Sequence, residues 1–409
     1  MPIHHRHDVV VVGARAAGAA TALLLARLGH DVVLLDRAGF PSDTLSTHQL
    51  ARTGVVLLRR WGLLDPVLAS GAPAIRRVTL AAAGESQTRT IKDKAGVDLL
   101  VAPRRHILDT IVAEAAAGAG ADLRLGTTVT GLLRDGAGRV TGVHGHDAGG
   151  SPLEIHARFV VGADGLRSRV AREAGAELIE DRGGDGAAQY TYYDGLPWDA
   201  IELIVAERAF TGVFPTHAGQ ACVWICTPGA DARQARRRAA SRTEAFTATL
   251  RRTAPELAER LTAGRRTAPV TGMLRAPKHL RRAHGPGWAL VGDAGYHRDP
   301  ITGHGLSDAY RDAELLAAAL DQALRGDLEE DAALAGYQRR RDEAVRDIFE
   351  LTCALAALPA RPRVRRPAEA AQRRHRRRGG RHRRRSRPRR PPHHGRLTPA
   401  FHSTREGNR

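Results

Sequence analysis

The stretch Asp8-Val9-Val10-Val11-Val12-Gly13-Ala14-Arg15-Ala16-Ala17-Gly18 decides the fold. Asp8 to Val12 reads as a short, continuously apolar strand of the kind buried in parallel sheets. It enters a glycine turn from Gly13 to Gly18, then an apolar helix from Ala19 to Leu28 that Gly29 ends. Asp31 to Leu35 forms a second strand finishing at Asp36. This strand–turn–helix–strand unit puts an acid 23 residues after Gly13, where a dinucleotide's ribose hydroxyl needs an acceptor. The middle glycine of the fingerprint is replaced by Arg15. A pyrophosphate must therefore approach a backbone carrying a side chain, and Arg15 either turns outward or adds a cation.

Two further strand-to-helix turns follow in order. Phe159-Val160-Val161-Gly162-Ala163-Asp164-Gly165-Leu166-Arg167-Ser168-Arg169 ends a strand in a Gly-Ala-Asp-Gly turn that opens a short basic helix. Near the C-terminal end, Trp288 to Val291 is a strand running into Gly292-Asp293-Ala294-Gly295-Tyr296-His297-Arg298-Asp299-Pro300-Ile301-Thr302-Gly303-His304-Gly305-Leu306-Ser307 and a long Ala/Leu/Asp helix. That layout puts the Asp293 carboxylate at a strand end and the Gly305–Ser307 amides at a helix start. The carboxylate can accept from a polyol hydroxyl, and the positive helix end can hold an electron-rich oxygen or a phosphate.

The three turns together resemble those of class A FAD-dependent monooxygenases of the para-hydroxybenzoate hydroxylase-like group and of their geranylgeranyl-reductase-type relatives. The similarity covers roughly residues 7 to 355. It implies an α/β fold: a Rossmann-like FAD-binding domain (GR2-type) with an inserted antiparallel β-sheet substrate domain. It also implies FAD contacts at Gly13, Arg15, Ala17, Gly18, Asp36, Arg37, Arg52, Arg105, Asp164, Gly292, Asp293, Pro300, Gly303, Gly305 and Leu306. The plain alternative for Arg52 and Arg105 is a pair of solvated surface cations. Tyr296 stands where relatives often carry His, Ser307 where Asn is common, and Ala171 where the Asp-Gly motif usually has Arg. The last departure weakens that motif's role toward a pyridine nucleotide.

Composition agrees with an enzyme over most of the length. The chain has 409 residues and is 42% apolar. No run approaches the ~20 apolar residues of a membrane span. Met1 to His7 lacks an apolar signal segment, and Cys222, Cys226 and Cys353 have no zinc-type pairing, so a reducing cytoplasm is expected. No metal is expected. The net charge of +19 is concentrated: residues 361–409 hold nineteen Arg against Glu369 and Glu406, a net of +17, leaving +2 for the rest. That Arg-, Pro- and His-rich stretch cannot bury a core and is expected to be disordered. A frame-shifted reading of GC-rich DNA would leave the same composition. Nucleic-acid contact through the stretch would be incidental phosphate neutralisation.

The organisation reads as discontinuous. The FAD-binding domain takes residues 1–74, 104–175 and 276–360, and the substrate domain takes 75–103 and 176–275. Ser42 to Leu64 is a loop and helix holding Thr47, His48 and Arg52. Ile75 to Val101 alternates as antiparallel strands do, Arg105 to Ala117 is an amphipathic helix, and Leu123 to Val143 a β-ribbon. Arg233 to Glu259 reads as one charged helix. Tyr190, Tyr192, Tyr193, Trp198, Phe210, Phe214 and Trp224 are seven of the seventeen aromatics in the chain. This crowding suggests a sheet facing a substrate cavity, although strands favour aromatics for packing alone. Phe214, in a Phe-Pro turn, is the expected pocket member. His48, His297 and His304 are candidate proton donors, each with a purely structural alternative. Pro300 belongs to the loop beside the flavin ring.

The resemblance implies that NADPH or NADH reduces FAD, and that molecular oxygen adds at flavin C4a to give a hydroperoxide. This species then hydroxylates an aromatic or apolar small molecule. The chemistry is the cofactor's, while the protein positions and shields it. The alternatives are an FAD-dependent double-bond reductase of the geranylgeranyl type and, from another class, a basic nucleic-acid-binding protein. A disulfide-reductase-type flavoenzyme would need a second nucleotide domain and a redox Cys pair, neither of which is present.

Overall fold

A computed structural model describes residues 6–46 and 48–358. The readings made on Met1–His5, on Thr47 and on the Arg-rich stretch 361–409 lie outside the described residues.

The chain opens with β1 (Arg6–Val12), α1 (Ala16–Arg27) and β2 (Val32–Asp36). Helices α2 (Arg52–Arg60) and α3 (Leu64–Ala69) precede a hairpin of β3 (Arg77–Ala82) and β4 (Glu85–Thr90). Then come α4 (Arg105–Gly118), β5 (Asp122–Leu125), β6 (Thr128–Arg134), β7 (Val140–His146), β8 (Pro152–Gly162) and α5 (Arg169–Glu173). The middle of the chain holds β9 (Leu178–Asp181), β10 (Gly186–Asp194), β11 (Ile201–Ala206), β12 (Ala209–Pro215) and β13 (Ala221–Pro228). Helices α6 (Gly229–Arg238), α7 (Arg242–Thr253) and α8 (Pro255–Arg260) follow, then β14 (Arg265–Arg266) and β15 (Thr271–Ala276). The last elements are β16 (His279–Arg281), β17 (His284–Gly285), β18 (Trp288–Leu290), β19 (Tyr296–His297), α9 (Gly305–Arg325) and α10 (Glu330–Ala356).

Three sheets result. The first runs β17-β18-β8-β1-β2-β5, with β18, β8, β1, β2 and β5 parallel and β6 and β7 joined antiparallel through the long β8. Both faces are covered, which is why β1 and β2 read as unbroken apolar runs. Val9, Val11, Val32 and Leu34 pack under α1, α4 and α9, while Val10, Val12, Val33 and Leu35 pack on the opposite side with Val170 and Leu290. The second sheet runs β14-β10-β13-β12-β11-β3-β4, with β15 also on β10. One face meets Ile301 and Ala356; the other is covered by α7 and α8. The third is a small sheet of β19, β16 and β9.

The FAD-type α/β architecture with its additional sheets is therefore present, and three local expectations are corrected. β3 pairs β11 in parallel, so the second sheet is mixed. Asp122–Leu125 joins the parallel sheet beside β2, and only β6 and β7 form the ribbon. The single charged helix from Arg233 to Glu259 is three helices. Ser241 caps α7 by accepting from Glu244 N at 3.0 Å while Glu244 Oε2 accepts from Ala240 N at 2.8 Å, a reciprocal box that forces a new start. Pro255 at the first turn of α8 then ends α7.

Candidate active site

The three turns converge at the C-terminal edge of the parallel sheet, where open α/β sheets bind ligands. A Cβ on Gly18 would lie 1.8 Å from Gly13 O and 2.9 Å from Ala163 Cβ, so α1 can start this close to the end of β8 only with glycine there. A Cβ on Gly292 would come 2.8 Å from Ala17 Cβ, which ties the third turn to the first. Ala17 thus serves close packing between turns.

Arg15 turns sideways within the crevice. Its Nη1 donates to Ser42 O and to Asp109 Oδ2, each at 3.1 Å, and Nη2 donates to Ser42 Oγ at 3.0 Å. Asp109, on α4, also accepts from Arg105 Nε at 3.0 Å and pairs with Arg105 Nη2 at 3.0 Å. Two guanidinium groups share one buried carboxylate, so the cluster keeps a net positive charge. Arg105 is 8% exposed and is no solvated surface cation. Arg52 is half-buried and Arg37 exposed, neither with a side-chain partner among the described residues.

The acids divide by availability. Asp36 is buried, with Oδ2 accepting from Ala14 N at 2.9 Å and Oδ1 from Ala38 N at 2.8 Å, so it braces the glycine turn. Asp164 accepts from Ser168 Oγ at 2.5 Å, Arg169 N at 2.6 Å and Val170 N at 3.1 Å, the pattern of a helix-start cap on α5. Asp293 differs: it is exposed and makes no hydrogen bond or ion pair among the described residues, and its charge acts on Arg105 and His279.

Beyond Asp293, Asp299 Oδ1 accepts from Ile301 N at 3.0 Å and fixes the turn Pro300–Thr302. Gly303 has a left-handed φ of +64°, and a Cβ there would strike Gln49 Oε1 at 2.6 Å. The loop therefore lies against the segment that carries His48. α9 begins at Gly305 with no side-chain cap, and its first intrahelical bond is Asp308 N to His304 O at 2.9 Å. The amides of Gly305, Leu306 and Ser307 precede that bond and remain available at the positive helix end.

Facing this loop is an aromatic wall. Tyr190, Tyr192, Phe214 and Trp224, with Cys222 and Cys226, form one buried cluster with Ile301. Phe214 lies 5.3 Å from Trp224, centroid to centroid. His48, at φ +71°, is 1% exposed, stacks on Tyr192 at 5.6 Å and hydrogen-bonds the Tyr192 hydroxyl through Nε2. Burial, reinforced by Arg105 and Arg104 and opposed by Asp43, pushes its pKa down to about 3. His48 is therefore neutral near pH 7. Burial raises the Tyr190 hydroxyl to about 12. The structure brings His48 and Phe214 together with this wall. His297 instead sits on the small sheet, its Nδ1 donating to Pro277 O at 2.5 Å, and His304 Nδ1 is paired with Thr302 O.

Two residues of the site escaped the sequence reading. Asp109 could have been found from its i,i+4 spacing to Arg105 on the amphipathic helix. Arg104, whose guanidinium lies 3.9 Å over the Tyr192 ring and 2.6 Å from Asp43, depends on contacts between distant segments and carries no local signal. Among the described residues no cluster of three or more His, Cys, Asp or Glu could hold a metal ion, and no helix is long and apolar enough to cross a membrane.

These features define a dinucleotide-binding flavoprotein fold. The open Asp293 carboxylate, the uncapped α9 start and the close-packed glycine turns match the donors and acceptors of FAD. The FAD binding domain family matches residues 6–352, and the chain belongs to that family. It is similar to a probable FAD-dependent monooxygenase from Pseudomonas aeruginosa, at 26% identity and a TM-score of 0.73, covering 86% of this chain and 96% of that one. A myxobacterial chondrochloren halogenase, at 23% identity and a TM-score of 0.79 over 92% and 90% of the two chains, shares the fold. Kynurenine 3-monooxygenase of Salinispora arenicola is 28% identical over 82% of this chain and 76% of its own. Digeranylgeranylglycerophospholipid reductase of Methanothrix thermoacetophila is 29% identical over 83% and 84%. The protein is an FAD-dependent oxidoreductase of this monooxygenase-like family.

Proposed function

We propose that the protein is an NAD(P)H-dependent monooxygenase that hydroxylates an aromatic or polycyclic small molecule. In balance, NAD(P)H, a proton, oxygen and substrate give NAD(P)+, water and hydroxylated substrate. FAD, when bound, supplies hydride acceptance and oxygen activation. Residues 75–103 and 176–275 are taken as the substrate part and the remainder up to 360 as the FAD part.

The observation that carries this reading is the aromatic wall against Ile301. It is apolar, yet His48 Nδ1 and Trp224 Nε1 are buried in it with no hydrogen-bond partner. Such atoms are costly to leave unpaired. A ring carrying a hydroxyl, amine or carbonyl would fill the wall and satisfy them, and a pure hydrocarbon would not. The similar Pseudomonas monooxygenase was solved in complex with 2-aminobenzoylacetate.

Each residue then has a job. With FAD bound, Asp293 would accept a hydrogen bond from a ribityl hydroxyl, the Arg15–Asp109–Arg105 cluster would hold the diphosphate, and the α9 start would steady negative charge on the ring system. Pro300 and Gly303 shape the loop, and Phe214 with Trp224 excludes water. Neutral His48 orients substrate instead of delivering a proton from a charged ring. Double-bond reduction is the second reading, favoured by seven digeranylgeranylglycerophospholipid reductases that share 25–29% identity with this chain. Oxygen uptake during NADPH oxidation over a panel of phenolics and isoprenoids decides between them. Equimolar oxygen and NADPH consumption with a phenolic is expected. Oxygen-independent saturation of an isoprenoid would overturn the assignment.

A further inference from the structure

Two neighbouring arginines at the start of α4 are held in different ways. Arg105 pairs with Asp109, a carboxylate on the same helix that is 1% exposed. Arg104 has one ion-pair partner among the described residues, Asp43, whose side chain is 37% exposed. Asp43 lies within residues 37–46, which form neither helix nor strand. Its other side-chain contacts are Thr44 N at 3.2 Å and His106 Nδ1 at 3.8 Å. Arg104 itself is anchored: its backbone N donates to His217 Nδ1 at 3.1 Å, Nη1 donates to Gln220 Oε1 at 3.3 Å, and the guanidinium rests over the Tyr192 ring. Asp43 reaches only Nη2, at 2.6 Å. Arg104 Nε is buried without a partner, as is Trp224 Nε1 in the wall that contains Tyr192. Guanidinium and indole N–H groups only donate, so both call for an acceptor. Elsewhere in the chain Arg208 offers a carboxylate the whole edge, with Nε and Nη2 each 2.8 Å from Asp231. At Arg104 half of that fork is left open.

We propose that Arg104 binds an acidic group of the substrate, and that Asp43 is the place-holder this group displaces. The ligand is then an aromatic acid. Its ring packs on the wall of Tyr190, Tyr192 and Phe214, and its carboxylate spans Arg104 Nε and Nη2 where Asp43 covers one of them. Bidentate carboxylate pairing is stronger than a single contact and suits the planar guanidinium. Asp43, on a partly exposed segment, returns to water at little cost. Asp109 has no such freedom, because its departure would leave Arg105 buried and unpaired. The proposal names a substrate class for the wall and rests on that wall being the substrate site, as proposed above. It does not depend on which reaction the flavin performs.

The test is titration of the full-length holoenzyme with benzoate, salicylate and 2-naphthoate, each against its neutral amide, read from the absorption spectrum of the bound flavin. It is repeated on Arg104→Gln, Arg104→Lys and Asp43→Asn, with FAD content and melting temperature as fold controls. The Arg-rich stretch is common to all of these proteins and cancels in the comparison. In the parent the acids should bind roughly tenfold or more tighter than the amides. Arg104→Gln should bring that ratio close to one. Arg104→Lys should keep part of it, because an ammonium holds the charge without the fork. Asp43→Asn should tighten the acids severalfold and leave the amides unchanged, a gain that a merely structural Asp43–Arg104 pair would not produce. Should Arg104→Gln lose FAD, the Asp43→Asn shift decides alone. Equal affinities for acids and amides in the parent, no spectral change with any of these ligands, a preference that survives in folded Arg104→Gln, or no gain in Asp43→Asn overturns the proposal. Acid-selective binding without oxygen-coupled NADPH oxidation supports the role of Arg104 and removes the monooxygenase reading. Hydroxylation with no acid preference does the reverse.

Discussion

The Asp109 carboxylate lies 3.1 Å from the Arg15 guanidinium, joining α4 to the turn after the first strand. Asp109 is 1% exposed and also holds the buried Arg105. Asp109→Asn removes the only negative charge of the cluster and leaves two cations facing each other. A loss of stability on the order of 3–5 kcal/mol is expected. Arg15→Gly leaves the Asp109–Arg105 pair intact and removes a side chain that is 25% exposed, so its cost should be well under half of that. Urea denaturation of FAD-stripped protein measures both. Equal losses would mean that Arg15, not Arg105, carries the pairing.

Asp293→Ala should weaken FAD far more than it weakens the fold. The carboxylate is exposed and makes no protein hydrogen bond among the described residues, so its removal orphans nothing. A charge-assisted bond to a ribityl hydroxyl is worth about 1.5–3 kcal/mol, or roughly ten- to hundred-fold in affinity. Flavin fluorescence on reconstitution reads the change. Parent-like affinity would show that Asp293 is not a ligand.

Removing residues 361–409 should leave flavin content and NADPH oxidation close to unchanged while abolishing retention on heparin. That stretch holds +17 of the +19 net charge, and cationic runs give salt-sensitive, sequence-independent attraction. All three turns end well before it. A truncated protein that loses FAD would show the stretch to be integral to the fold.

What the sequence disclosed was local. An apolar run entering Gly13–Gly18 can hardly be anything but a buried parallel strand and helix start, and Gly292–Asp293 repeats the logic at the other end. What it concealed was relational. The parallel pairing of β3 with β11 joins residues more than a hundred apart, and no periodicity reports a partner at that distance. In the Asp-Gly motif the hidden part was a local bond. Asp164 has the residue type of a ligand, but Ser168 four positions on turns it into a helix cap. His48 was legible as a candidate residue, yet its neutrality follows from burial beside Tyr192 and two arginines, which only the fold creates.

That neutrality has a consequence for acid stability. Burial lowers the His48 pKa to about 3, against an ordinary 6.5. Above pH 6.5 both folded and unfolded chains hold the imidazole neutral, and its contribution is at its maximum. As pH falls from 6.5 toward 3, the unfolded chain binds a proton that the folded chain refuses, so stability drops by up to about 1.4 kcal/mol per pH unit. His217 and His279, each lowered to about 4 mainly by burial, act in the same direction. His48→Asn should therefore be less stable than the parent near neutral pH, because the Tyr192 hydrogen bond is disturbed. It should nevertheless lose less stability between about pH 7.5 and pH 5. Paired urea midpoints at the two pH values give the slopes. An unchanged slope in the variant would mean that the imidazole titrates in the folded protein as it does in the unfolded chain, and that burial does not hold it neutral.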